Sequence, residues 1–157
     1  MKNAETPIAG TTIALGADHA GVVLKDSLRD WLRDAGYPVL DMGTDGSASV
    51  DYPDFAGQVA AAIADGRATF GVLVCGTGIG MQIAANRNPA VRATVLHNTT
   101  EARLTRAHND ANVACFGART TGEETVRDAL SAFLATEYEG GRHARRVAKL
   151  SPTASKE

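Results

Sequence analysis

The chain has 157 residues, a formal net charge of −2, and 44% hydrophobic but only 5% aromatic residues. This length suits one domain with a sizeable core, and the nearly balanced charge gives no indication of a nucleic-acid or membrane partner. The N-terminal residues lack the apolar segment of a secretory signal, and no apolar run approaches the ~18 residues that a membrane span needs.

Apolar periodicity predicts strands that alternate with helices along the chain. The strands are predicted at residues 12–16, 39–42, 69–74, 91–96 and 112–116. The helices are predicted at residues 24–35, 53–65, 81–86, 101–107, 126–134 and 142–150. We expect residues 1–10 to form a flexible leader, residues 11–150 a single domain, and residues 151–157 a flexible tail.

Five strands that alternate with helices are typical of one parallel sheet covered by helices on both faces. We therefore predict an α/β protein, a three-layer α/β/α Rossmann-like domain with a five-stranded parallel sheet. A strand order that begins 2-1-3 would place the ends of the first and third strands side by side, at the edge where such folds bind ligands. The pattern leaves the order of the last two strands open.

The most informative stretch runs from the apolar strand at 72–74 into Cys75 and the glycine-rich loop at 76–80. Three glycines at every second position free the backbone to turn and to expose its N–H groups. A thiol at this strand end, beside a helix N-terminus, could hold a thiolate and an oxyanion together. The residues alone fit a tight turn with a buried, inert cysteine equally well, because the loop matches neither the dinucleotide nor the P-loop pattern.

The second cysteine, Cys115, lies in another strand-like run, and the spacing of cysteines and histidines matches no disulfide framework or structural zinc site. We therefore predict reduced thiols in a cytoplasmic protein.

Several polar residues fall at or next to predicted strand ends, and we expect them to share the ligand-binding edge of the sheet. They are Asp18, His19, Cys75, Thr77, His108, Asn109 and Arg119. Arg142 and Arg146 lie on one face of the last helix, where they either bind a dianion or form a solvated basic face. A thiolate base, N–H donors, a histidine acid/base and phosphate-binding arginines together fit proton abstraction beside the carbonyl of a sugar phosphate.

Six motifs occur in order between about Thr12 and Leu150. They are GADHAG at 16–21, DYPD at 51–54, CGTGIG at 75–80, IAAN at 83–86, HNDAN at 108–112 and GGRH at 140–143. As a set they resemble the type B ribose-5-phosphate isomerases of the ribose/galactose isomerase family.

The resemblance implies an aldose–ketose isomerase that interconverts ribose 5-phosphate and ribulose 5-phosphate through an enediolate, with neither metal nor cofactor. It implies that Cys75 is the base between C2 and C1, that Thr77 and the loop N–H groups hold the enediolate oxygen, and that His108 opens the furanose ring. The substrate-binding residues it implies are Asp18, His19, Tyr52, Gly76, Gly78, Ile79, Gly80, Asn109, Arg119, Arg142 and Arg146. Members of the family are homodimers or tetramers with sites built from two subunits, so we expect a homodimer or a dimer of dimers.

Residues 97–100 (HNTT) depart from the common pattern of the family near the predicted substrate edge. This leaves open the related substrates galactose 6-phosphate, allose 6-phosphate and tetrulose 4-phosphates. A non-catalytic phosphosugar-binding module is a second alternative, although it would not need a thiol at Cys75. A thiol redox sensor is a third, although the chain contains no C-x-x-C pair.

Overall fold

The computed structural model describes residues 7–151, and within that range it contains five strands and six helices. The strands are β1 (Ile13–Ala17), β2 (Val39–Asp41), β3 (Phe70–Cys75), β4 (Ala93–Val95) and β5 (Val113–Gly117). The helices are α1 (Val22–Asp34), α2 (Tyr52–Ala64), α3 (Ile79–Ala85), α4 (Thr99–Asn109), α5 (Glu123–Ala135) and α6 (Arg142–Ala148). Most of the predicted leader and all but Ser151 of the predicted tail lie outside the described residues.

The strands form one parallel sheet in the order β2-β1-β3-β5-β4. The predicted α/β fold with a five-stranded parallel sheet is confirmed; the sheet begins in the order 2-1-3, and β4 lies at the edge beyond β5. In the centre, Val72 of β3 pairs with Leu15 on one side and with Ala114 on the other. All six residues of β3 are buried, which accounts for its uninterrupted apolar sequence.

Helices cover both faces of the sheet and enclose two separate cores. Side chains of α1, α4 and α5, among them Leu28 and Phe133, fill the first core. Side chains of α2 and α3, among them Val59, fill the second core, which also contains Cys75 and Cys115. Among the helices of residues 7–151, none combines the length and the apolar character needed to cross a membrane.

Helix α4 is longer than predicted. The Asn98 side chain accepts a hydrogen bond from the Glu101 N–H at 2.8 Å and caps the first turn. Asp110 follows the last turn in a left-handed conformation, with φ of 47°. His108 therefore lies in the final helical turn, and the predicted end of this helix at residue 107 is wrong. The sequence does not define the two ends of α4, because the polar residues there are compatible with a helix cap and with a loop.

A buried ion-pair network joins α1 to the end of β2. The Nζ atom of Lys25, a residue with 0% exposure, lies 2.8 Å from Oδ1 of Asp41 and 2.7 Å from Oδ1 of Asp26. Asp41 also accepts a hydrogen bond from the Gly43 N–H at 2.9 Å. The network thus fixes the start of the loop at 43–51, which extends toward the candidate site.

Candidate active site

Cys75 ends β3 with its thiol almost enclosed, since the residue is only 5% exposed. The Gly78 N–H donates a hydrogen bond to its sulfur at 3.1 Å. An N–H directed at sulfur stabilises negative charge there, as a nucleophilic or basic cysteine requires. The geometry therefore favours the catalytic interpretation of Cys75 over that of an inert core thiol.

The loop after Cys75 is held by its backbone against the end of β5. Gly78 has a φ of +79°, and a Cβ there would lie 3.0 Å from the carbonyl carbon of Phe116, so only glycine fits. The Ala118 N–H donates to the Cys75 carbonyl at 2.9 Å, which closes the loop onto β5. In the part of the chain that the structure describes, the N–H groups of Gly76 and Thr77 have no hydrogen-bond partner. They are free to bind an oxyanion beside the thiol.

Asp18 and His19 lie beside this loop because β1 and β3 are neighbours in the sheet. Oδ1 of Asp18 accepts hydrogen bonds from the N–H groups of Ala20 (3.0 Å) and Gly21 (3.1 Å). Its second oxygen has no hydrogen-bond partner among residues 7–151. Nδ1 of His19 accepts a hydrogen bond from the Val50 N–H at 3.2 Å, which leaves the proton of the neutral ring on Nε2. Both side chains are thus fixed and each keeps one polar atom for a ligand.

Arg119 and Tyr52 lie against the first and the last glycine of the loop. A Cβ on Gly76 would lie 3.2 Å from Nη1 of Arg119, so the guanidinium rests against that glycine. A Cβ on Gly80 would lie 2.6 Å from Cζ of Tyr52, so the ring covers that glycine. The structure therefore brings together a group that we name the carboxyl-edge group. It consists of Asp18, His19, Tyr52, Cys75, Gly76, Thr77, Gly78, Ile79, Gly80 and Arg119.

His108 and Asn109 lie at the other end of the sheet. Arg92, which directly precedes β4, donates from Nε to the Asn109 carbonyl at 3.1 Å, so the C-terminus of α4 adjoins the amino ends of β4 and β5. Cys75 pairs with Gly117, the last residue of β5. The four residue steps of β5 separate the two positions by at least ~13 Å along the strand.

The prediction that His108 and Asn109 share the ligand-binding edge within one chain is therefore wrong. A helix that connects parallel strands runs antiparallel to them, so its C-terminus returns to the amino edge of the sheet. The sequence pattern places these residues next to β5, but at its start.

Helix α6 packs beside the end of α4 and carries Arg142 and Arg146. The rings of His108 and His143 stack with centroids 4.3 Å apart and planes 15° apart. We name His108, Asn109, Arg142, His143 and Arg146 the helix-end group. The sequence pattern assigns no role to His143, and its place in the GGRH motif is the signal that points to it.

His108, Glu139 and His143 also offer ligand atoms that lie within 4.8 Å of one another. A metal ion lies in the plane of each imidazole that binds it, and two stacked, nearly parallel rings have no such point in common. The arrangement is therefore a ring stack, and the side chains do not converge on a metal position.

The chain is similar to known proteins over nearly its whole length. The model of the family described as Ribose/Galactose Isomerase matches residues 13–150. Ribose-5-phosphate isomerase B of Escherichia coli is 46% identical over 135 residues, which are 86% of this chain and 91% of that protein. The D-erythrulose-4-phosphate isomerase of Pectobacterium atrosepticum is 41% identical over 88% of this chain and 92% of its own. The structure of ribose-5-phosphate isomerase B from Clostridium thermocellum superposes with a TM-score of 0.88 at 46% identity, and the match covers 89% of this chain and 95% of that one.

Proposed function

Because the chain belongs to the ribose/galactose isomerase family, we propose that it is an aldose–ketose isomerase that interconverts ribose 5-phosphate and ribulose 5-phosphate through an enediolate. One observation carries the proposal beyond the family level. It is the enclosed Cys75 thiol with an N–H on its sulfur, next to the two unpartnered N–H groups of Gly76 and Thr77.

In the proposed reaction, the Cys75 thiolate removes the proton from C2 of the open-chain aldose. The electron pair moves onto the carbonyl oxygen to form the enediolate, whose negative oxygen the N–H groups of Gly76 and Thr77 bind. The proton of the C2 hydroxyl passes to the oxygen on C1, and the Cys75 thiol returns the first proton to C1, which yields the ketose. The step is a proton transfer with no net redox change, so it consumes no co-reactant.

The other residues of the carboxyl-edge group bind the substrate around this thiol. Asp18 has a free carboxylate oxygen for a sugar hydroxyl, and the Nε2–H of His19 can donate a hydrogen bond. Arg119, beside Gly76, adds positive charge, and Tyr52 closes the side of the loop at Gly80. Ring opening is assigned to His108, hydroxyl binding to Asn109, and phosphate binding to His19, Arg142 and Arg146.

These last assignments require a second copy of the chain, because the helix-end group is remote from Cys75 in one copy. We propose a homodimer in which the helix-end group of each chain completes the carboxyl-edge group of the other, with a dimer of dimers as the larger alternative. Helix α3 exposes two apolar side chains one turn apart: Ile79 (56% exposed), a member of the carboxyl-edge group, and Ile83 (53% exposed). Such a patch next to an incomplete site fits a subunit contact.

A second candidate is isomerisation of another sugar phosphate. Two observations favour it: the relative from Pectobacterium is named for erythrulose 4-phosphate, and residues 97–100 follow β4 at the same edge of the sheet as Cys75. The deciding experiment measures kcat/KM for ribose 5-phosphate, allose 6-phosphate, galactose 6-phosphate and erythrulose 4-phosphate after treatment with a chelator. We expect ribose 5-phosphate to have the highest value, without metal. Activity that is lost with the chelator and restored by a divalent cation would contradict the thiolate mechanism.

We also propose a cytoplasmic location, because both cysteines are free thiols, as is usual in a reducing compartment.

A further inference from the structure

His143 is the most enclosed polar residue of the helix-end group. The residue is 6% exposed, whereas the flanking Arg142 and Ala144 are exposed. Its Nε2 atom is buried and makes no hydrogen bond. The same atom lies 3.4 Å from Oε2 of Glu139, which is an ion-pair distance only when the ring is protonated. The proposed reaction has so far given this residue no role.

Two backbone contacts fix the position of His143 relative to α4. The Glu139 N–H donates to the carbonyl of Ala107, the residue before His108, at 3.0 Å. The His143 N–H donates to the Gly140 carbonyl at 3.0 Å and begins α6. The segment that carries His143 is therefore attached directly to the last turn of α4, and the ring stack closes the gap between them.

We propose that His143 is a positioning residue: its ring fixes the orientation of the His108 imidazole for ring opening and links it to the helix that carries Arg142 and Arg146. The inference rests on the proposed function, since it assigns His143 a part in that reaction. The His108 side chain is only half-buried and has no hydrogen bond to another side chain within residues 7–151, so the stack is the contact that limits its rotation.

The charge state of His143 suits this role. Burial, together with the positive charges of His108 and Arg142, lowers the pKa of His143 below its ordinary value. A neutral ring can stack on His108 while His108 gains and loses a proton. Two imidazolium rings 4.3 Å apart would instead repel each other.

The test compares two measurements on the full chain: turnover of ribose 5-phosphate, which needs ring opening, and deuterium exchange at C1 of ribulose 5-phosphate in D₂O, which does not. For His143→Ala we expect turnover to fall about tenfold or more while exchange falls less than about threefold. His143→Phe keeps a flat ring in the stack and should restore most of the turnover. The KM values of both substrates should rise together in His143→Ala, because the phosphate is common to both.

His143→Asn provides a second route if His143→Ala fails to fold, because it removes the ring but keeps a polar side chain, and we expect it to lower turnover more than exchange. Glu139→Ala is the control: it removes a carboxylate that makes no hydrogen bond to the neutral ring, and it should change neither measurement. Equal losses of turnover and exchange in His143→Ala, or a His143→Phe variant as impaired as His143→Ala, would overturn the inference while leaving the isomerase intact. Failure of the unmodified chain to isomerise any sugar phosphate would overturn the proposed function itself.

Discussion

Cys75 and His108 lie at opposite ends of the sheet, with the full length of β5 between their positions. The sulfur of Cys75 accepts a hydrogen bond from a backbone N–H. The imidazole of His108 stacks on the ring of His143. Proton transfer requires heavy-atom separations of about 3 Å, or one intervening water. Under the proposed chemistry, one chain therefore holds two half-sites, and two chains must exchange them.

A mixing experiment tests this arrangement. Cys75→Ala and His108→Asn should each be nearly inactive alone. When they are mixed, dissociated and reassociated, half of the dimers contain one chain of each kind, and one of the two sites in such a dimer has both native residues. We expect about a quarter of the unmodified activity to return. No recovery, with mixed dimers demonstrated by mass spectrometry, would show that each site is built from a single chain.

The strand, turn and helix start around Cys75 could be predicted from the sequence because residues adjacent in the chain determine them. The apolar run, the thiol and the alternating glycines dictate a strand, a turn and a helix start, and the structure has these elements at Phe70–Cys75 and Ile79–Ala85. The position of His108 could not be predicted in this way, because it depends on where α4 ends and on which edge of the sheet that end reaches. The buried Lys25 was also unforeseen, since an isolated lysine in an amphipathic helix is normally exposed.

Cys75 should be the base, and its replacement should separate catalysis from folding. Cys75→Ala removes one sulfur atom from the edge of a core, so we expect nearly native circular dichroism and a loss of activity by several orders of magnitude. Iodoacetamide should alkylate Cys75 well before Cys115, because Cys115 is fully enclosed and burial raises the pKa of its thiol. Peptide mapping after brief alkylation measures both rates. Near-normal turnover in Cys75→Ala would place the base elsewhere.

Arg142 and Arg146 should bind the phosphate. Each is exposed on α6, and four-residue spacing puts both on one face. We expect Arg142→Ala or Arg146→Ala to raise KM by the equivalent of about 1.5–3 kcal/mol, with a smaller change in kcat. Arg145→Ala removes the same charge from the same helix on a different face and serves as the control. An identical KM in all three variants would indicate that Arg142 and Arg146 form a solvated basic face and do not bind the phosphate.

Asp41 should stabilise the fold at neutral pH because it pairs with the buried Lys25. Asp41→Ala leaves that ammonium with Asp26 alone, and we expect a loss of about 2–4 kcal/mol in the free energy of unfolding. Asp30→Ala, which removes an exposed partner of Arg29, should cost less than about 1 kcal/mol. Urea titrations of the three proteins measure these differences.

The loss of stability in Asp41→Ala should depend on pH. Although burial opposes ionisation, hydrogen bonds from Lys25, the Gly43 N–H and Arg29 hold the pKa of Asp41 below its ordinary value of 3.8. A carboxylate with a lowered pKa in the folded state stabilises the protein above its unfolded pKa, and that contribution is lost as the pH falls through the folded value. The penalty of Asp41→Ala should thus be full at pH 7 and shrink below pH 3.8. A penalty that stays constant with pH would assign the effect to packing and not to charge.

His108 should act in ring opening and not in the enediolate step. Ribose 5-phosphate is mostly a closed furanose, so a proton must move between the ring oxygen and the anomeric hydroxyl before the C2 proton becomes acidic. An imidazole is suited to that transfer near neutral pH. We expect His108→Asn to reduce turnover of ribose 5-phosphate by about 10²-fold or more. Deuterium exchange at C1 of ribulose 5-phosphate, which has no furanose to open, should be much less affected.

Because His108→Asn also removes the ring that stacks on His143, a His108→Phe variant keeps the stack and tests the imidazole alone. If exchange and turnover fall equally in both variants, His108 belongs to the proton shift between C2 and C1.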